Sequence, residues 1–200
     1  MLVELAKNRV KEIFAIKKYK FFEAGNFNVN LIGIRSNNRV ANSFDDTLLC
    51  IYKDKDIWQW KEYKITTDAG NYWLKNPMNS KGTALLVPNQ YRSAYRIDRH
   101  QGRYFALCQR EAEVEVYRDN NKNYITDFDP NTIDKGMFGI NIHRSHPRRE
   151  TKKVEKYSAG CQVFSDPEAF DRFMTICQRA AGIWGNKFSY TLLTYKDLEL

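Results

Sequence analysis

The chain has 200 residues, 42% of them hydrophobic, and its 32 Lys and Arg against 24 Asp and Glu give a formal net charge of +8. That length supports one domain with a core of its own, and no apolar run approaches the ~18 residues that a membrane helix requires. Four cysteines with neither a CxxC pair nor regular spacing argue against a disulfide framework or a zinc site, and the charge favours an anionic partner without naming it.

Val3, Ala6, Val10, Ile13 and Phe14 recur at three- and four-residue intervals, which predicts an amphipathic helix over residues 2–18 with a basic opposite face. Residues 1–24 read as a helical extension and 25–200 as a single domain. The N-terminus alternates charged with apolar residues and lacks the apolar stretch and small-residue cleavage site of a secretory signal, so synthesis in the cytoplasm is expected. Up to residue 118 the pattern is β-type: short runs at 28–35, 47–52, 58–66, 84–87, 91–97, 104–109 and 113–117, separated by Asn, Gly, Pro and Asp. Asp68-Ala69-Gly70, Asn76-Pro77 and Pro88-Asn89 mark turns. Cys50 and Cys108 lie in apolar runs and read as small core residues of strands. His100 falls in Asp98–Gly102, a turn between two strands; it is either a polar turn residue or a side chain facing a substrate cleft.

Asp119, Asn121 and Asn123, followed by Asp127 and Asp129, space oxygen-bearing side chains as a calcium loop begins. The sixth position is Tyr124 instead of Gly and the twelfth is Pro130 instead of Glu, so the segment reads as a turn and no metal is expected. Residues 139–143 alternate as a half-buried strand ending at His143, and Val163-Phe164 begin another. Asp166-Pro167-Glu168 is a helix start, with a capping group, proline in the first turn and an acid near the positive helix end. Phe170, Phe173, Met174, Cys177 and Ala181 form its apolar stripe, Gly182 or Gly185 ends it, and a strand at 188–195 closes the chain. The fold class is therefore α+β and strand-rich, with helices flanking a mixed β-sheet toward both ends.

Chemistry concentrates between residues 143 and 161. Cys161 is preceded by Ser158-Ala159-Gly160 and has His143 upstream, a base and a nucleophile on two strand ends that can meet in space. A free thiol has a pKa near ~8.5, so a nearby imidazole is needed to raise its thiolate fraction at neutral pH. Gly160 allows a sharp turn, and the Gly160 and Cys161 amides are candidate oxyanion donors. Ser158 either assists at a substrate carbonyl or only orients the turn. Between Asn141 and Gly160, Arg144, Arg148, Arg149, Lys152, Lys153 and Lys156 face only Glu150 and Glu155, either a solvated loop or an attraction for an anionic substrate. His146, before Pro147 in that loop, reads as exposed.

The string His143, fourteen residues, Ser158-x-Gly160-Cys161 resembles the catalytic signature of the L,D-transpeptidase catalytic domain family, in its divergent form found in phages and gut bacteria. Ile140 to His143 resembles that family's strand ending in the catalytic histidine, and Thr66–Tyr72 is similar to its threonine- and glycine-containing stretch leading into a strand. The resemblance covers about residues 60–165. It implies an L,D-transpeptidase-like mixed sheet, Cys161 as nucleophile, His143 as base, and attack on an L,D peptide bond of a peptidoglycan stem, ending in hydrolysis or transpeptidation. Two departures stand out: Ala159 replaces the usual His, and Gln162, Val163 and Phe164 follow Cys161 where an Arg or Asn is usual. Substrate contacts are expected at Arg144, Ala159 and His100, with stem peptides as partner, no cofactor, no specific nucleic acid and no membrane insertion. A lytic, endolysin-like enzyme made in the cytoplasm would act on the wall once released. The competing readings are a catalytically silent basic module binding an anionic cell-wall polymer or nucleic acid, and a cysteine peptidase or toxin acting on an amide outside the wall.

Overall fold

The computed structural model describes residues 2–199, with side chains from residue 9 onward; Val3 and Ala6 of the predicted helical stripe therefore have side chains outside the described residues. In chain order the elements are α1 (Leu2–Ile16), β1 (Asn30–Arg35), β2 (Asp46–Asp54), β3 (Ile57–Thr66), α2 (Asn71–Lys75), β4 (Thr83–Leu86), β5 (Gln90–His100), β6 (Tyr104–Gln109), β7 (Val114–Asp119), β8 (Asp134–Gly136), β9 (Ile142–Arg144), β10 (Gln162–Phe164), α3 (Pro167–Trp184) and β11 (Phe188–Thr194). Eight strands close into a barrel in the order β1-β11-β5-β6-β9-β10-β3-β2, and β4-β7-β8 form a separate three-stranded sheet. The molecule is thus α+β and strand-rich. Among the described residues no helix is long and apolar enough to cross a membrane.

The apolar runs at 31–34 and 48–52 are continuous because both faces of these strands are covered. Leu31, Leu48 and Cys50 point into the main core, whereas Ile32, Ile34, Leu49 and Ile51 pack outward on Val10, Ile13 and Phe14 of α1. The β2–β3 hairpin turns at Lys55-Asp56, both at positive φ, the two-residue loop whose twist matches the strands. On α3 the apolar stripe buries Phe170 and Phe173 against Tyr63 and Phe164. Its start is fixed by Asp166, whose carboxylate accepts the Glu168 N–H, and its end by Gly185 at φ +86°.

Three local expectations change. Thr66–Tyr72 leads into the short helix α2, not a strand, because the Gly70 backbone lies flat against Glu155, where a Cβ would stand 2.0 Å from a carbonyl oxygen. The strand expected at 139–143 starts only at Ile142, since Gly139 has φ +71° and the Gly139 and Ile140 N–H groups both donate to Gln109 Oε1. β5 runs on to His100, and the hairpin turns beyond it at Gln101 and Gly102, both at positive φ. His100 is consequently a buried strand end and not a turn residue.

Candidate functional site

β9 and β10 are parallel neighbours, with Ile142 opposite Gln162 and His143 opposite Val163. The ladder extends one step further through the Gln162 N–H, which donates to Asn141 O at 2.9 Å and sets Cys161 beside Asn141. Side chains alternate, so Ile142, Gln162 and Phe164 enter the barrel while Asn141, His143, Cys161 and Val163 share the other face. Thiol and imidazole therefore occupy one face of adjacent strands, two residues apart along them. Among the described residues no hydrogen bond joins them: the Cys161 thiol donates to Gly139 O at 3.5 Å and accepts from the Asn141 N–H at 3.4 Å.

The turn before Cys161 is built from within. Ser158 is fully buried, and its Oγ donates to Cys161 O at 2.9 Å while accepting the Gly160 N–H at 3.1 Å. Both functions of the hydroxyl are spent, so Ser158 orients the turn and does not reach a substrate. The Gly160 amide is spent with it. Of the two expected oxyanion donors only the Cys161 N–H has no partner among the described residues. Glycine is required at 160 because φ is +115° and a Cβ would stand 1.8 Å from Ala84 O on β4.

His143 is 5% exposed, and its Nδ1 lies 2.8 Å from Arg144 O, which also accepts the Tyr104 hydroxyl at 3.1 Å. Donating Nδ1–H to that carbonyl leaves Nε2 as the basic nitrogen. The ring stacks on His100, with centroids 4.1 Å apart and planes 20° from parallel. Asn141 fixes the second imidazole: its Oδ1 accepts the Gln109 N–H at 2.9 Å, so its amide nitrogen donates to His100 Nδ1 at 3.1 Å and the His100 proton sits on Nε2. Burial pushes His143 down to about 3, helped by repulsion from His100 and opposed by the Arg144 carbonyl. His100 is lowered too, by burial and then by Arg110 and Arg103. Burial pushes the Cys161 thiol up to about 11, opposed by the Asn141 N–H. The resting pair is a neutral thiol and a neutral imidazole, with no standing thiolate.

Cys161 and Ala159 line a cavity of about 250 Å³ whose walls include Trp73, Met78, Phe138 and Ile140. His143 and His100 line another, of about 570 Å³, with Arg103, Tyr104, Arg144 and Lys156. Thiol and imidazole thus line different cavities, the first mostly apolar with Arg118 on its wall and the second basic and aromatic. Arg144 belongs to the second, its guanidinium 4.4 Å from the Tyr104 ring and 3.2 Å from Asp171. Ala159 offers only a methyl group. His146 is half-buried instead of exposed and builds its loop, Nδ1 accepting the Arg148 and Arg149 N–H groups.

The remaining cysteines, Cys50, Cys108 and Cys177, are fully buried, which leaves Cys161 as the one thiol with open surface. At 119–129 the chain closes on itself, the Asp127 N–H donating to Asp119 Oδ2 and the Asn123 N–H to Asn121 Oδ1. Among the described residues no three His, Cys, Asp or Glu side chains gather as a metal site would need. The threonine-rich stretch is anchored by Arg35, 2% exposed, which donates to Thr67 Oγ1, Thr67 O and Leu86 O. Its Nε is 3.0 Å from Asp68 Oδ1, but that N–H is directed to Thr67, so the carboxylate gains charge proximity without a hydrogen bond. The anchored loop then presents the Gly70 N–H to Ser158 O at 2.9 Å.

Asn141, Tyr104, Gln109 and Gln162 were not among the expected site residues. Asn141 had a signal, as the polar position two before His143 in an alternating run; the other three had none in their own neighbourhood. No protein-family model matches the chain, and no curated protein or solved structure matches it.

Proposed function

We propose that the protein is a cysteine acyl-transfer enzyme acting on L,D peptide bonds of peptidoglycan stem peptides. The observation that carries the chemistry is the β9–β10 register, which sets the partly open Cys161 and the Nε2-basic His143 on one face of adjacent strands. The substrate class rests on the resemblance of His143 and Ser158-x-Gly160-Cys161 to the L,D-transpeptidase signature. In the reaction His143 Nε2 takes the thiol proton as Sγ attacks the amide carbonyl. The Cys161 N–H donates to the developing oxyanion. Collapse breaks the C–N bond, and the imidazolium returns the proton to the departing amine, leaving a thioester on Cys161. Water or a second amine then accepts the acyl group by the reverse proton path.

The basic cavity beside His143 suits the carboxylate of a leaving D-amino acid, with Arg103 and Lys156 on its walls. The test is to incubate the protein with tetrapeptide and cross-linked muropeptides and weigh the products. Release of D-Ala, scission of a cross-link or a new dimer identifies carboxypeptidase, endopeptidase or transpeptidase action. Unchanged muropeptides, together with polymer binding that weakens steeply with salt and ignores loss of Cys161, would replace this reading with a silent basic module.

A further inference from the structure

A line of polar contacts crosses the barrel interior and ends on the Cys161 peptide. Gln162 is fully buried and points inward; its Nε2 donates to Gly160 O at 3.4 Å, and its Oε1 accepts the Tyr190 hydroxyl at 2.9 Å. Tyr190, also fully buried, has room because residue 33 of β1 is glycine: a Cβ there would stand 1.8 Å from the hydroxyl oxygen. Any side chain at 33 would displace the tyrosine that holds Gln162. Burying an amide and a phenol among apolar side chains costs free energy that only satisfied hydrogen bonds offset, and here each is spent on the next group along.

The line matters because of where it ends. In a planar trans peptide the carbonyl and the following N–H point in opposite directions. Gly160 O is drawn into the barrel by Gln162, so the N–H of the same peptide unit, that of Cys161, is turned outward, to the face that carries His143. The Gly160 N–H is already engaged by Ser158. Orientation of the one unpartnered amide of the turn thus depends on a side chain that touches neither substrate nor thiol.

Building on the proposed acyl transfer, we propose that Gln162, braced by Tyr190, is a positioning residue that aims the Cys161 N–H at the oxyanion. Without its donor the Gly160–Cys161 peptide is free to rotate, and stabilisation of the tetrahedral intermediate falls while the thiol stays in place. Loss of an oxyanion donor costs on the order of 100- to 1,000-fold in kcat, and misalignment costs less.

The test compares two reactions of Cys161. Acylation by a synthetic stem tetrapeptide ending in D-Ala passes through an oxyanion; alkylation by iodoacetamide displaces iodide at a saturated carbon and forms none. Gln162→Met keeps the length and removes both the donor to Gly160 O and the acceptor of the Tyr190 hydroxyl, and Tyr190→Phe removes only the brace. The expected result is acylation about 30- to 100-fold slower in Gln162→Met with KM unchanged, about 3- to 10-fold slower in Tyr190→Phe, and alkylation within about twofold of the parent in both. Equal loss of both reactions, or acylation unchanged in Gln162→Met with its melting temperature preserved, overturns the proposal. Absence of a thioester on the unmodified protein overturns the proposed function itself, and with it this role.

Discussion

Two faces of the barrel are closed by opposite means. Under α1, Val10, Ile13 and Phe14 meet Ile32, Ile34, Leu49, Ile51 and Leu193, a contact made of apolar surface alone. Around β9 and β10 the buried set includes Gln109, Asn141, His143, Ser158 and Gln162, and each of these side chains has a hydrogen-bond partner. Apolar contact is non-directional and supplies free energy in proportion to area. Buried hydrogen bonds add little net stability but fix direction, and they are costly when one partner is lost. The first face is therefore where stability resides, and the second is where atoms are aimed.

Substitutions on each face should separate the two properties. The largest effect is expected for His143→Ala, a loss of about 100- to 10,000-fold in the rate of Cys161 acylation per folded molecule, the range for a removed general base. Phe14→Ala should behave in the opposite way. Denaturant unfolding should report a destabilisation of about 3–5 kcal/mol, with acylation per folded molecule unchanged. Ser158→Ala leaves the buried Gly160 N–H without its acceptor and should cost about 1–3 kcal/mol together with a loss of activity, because it acts on the aimed face. A stability loss from Ser158→Ala without an effect on acylation would erase the distinction.

The smallest effects are on pH dependence. Burial lowers His143 to about 3 in the folded protein, so its stabilising contribution is present above the unfolded value near ~6.5 and is lost as pH falls toward 3. The acid limb of the acylation profile should accordingly lack an inflection near 6.5. Asp68 has the reverse sign. Burial raises it to about 7 against the pull of Arg35, so its contribution is present below the unfolded value near ~3.9 and is lost as pH rises through 7. Asp68→Asn should raise the melting temperature at pH 8 and leave it unchanged at pH 3, below both values. An equal shift at both would place the effect in packing and not in charge.

The apolar face was legible in the sequence and the aimed face only in part. The three-four spacing of Val10, Ile13 and Phe14 and the unbroken run at 48–51 are local patterns, and they led to α1 and β2 nearly to the residue. The stripe of α3 and the proline after its cap were equally plain. His143 and Cys161 were found because strand alternation and a glycine turn are local too. The turn at Ser158 and Gly160 was legible because its own hydrogen bonds are local, whereas His100 was read as a turn residue because Asn141, which fixes its ring, lies 41 residues on. β8 has only three residues, too few for any periodicity to register. Gln162 carries no mark at all, since its meaning comes from Tyr190, 28 residues on in β11.

The most direct test of the central claim is the intact mass of the protein after incubation with a stem tetrapeptide ending in D-Ala. The parent protein should gain the mass of the tripeptide acyl group, and fragmentation should put it on Cys161, while Cys161→Ala keeps its fold and gains nothing. The same adduct on Cys161→Ala, or on any of the three buried cysteines, would contradict the account.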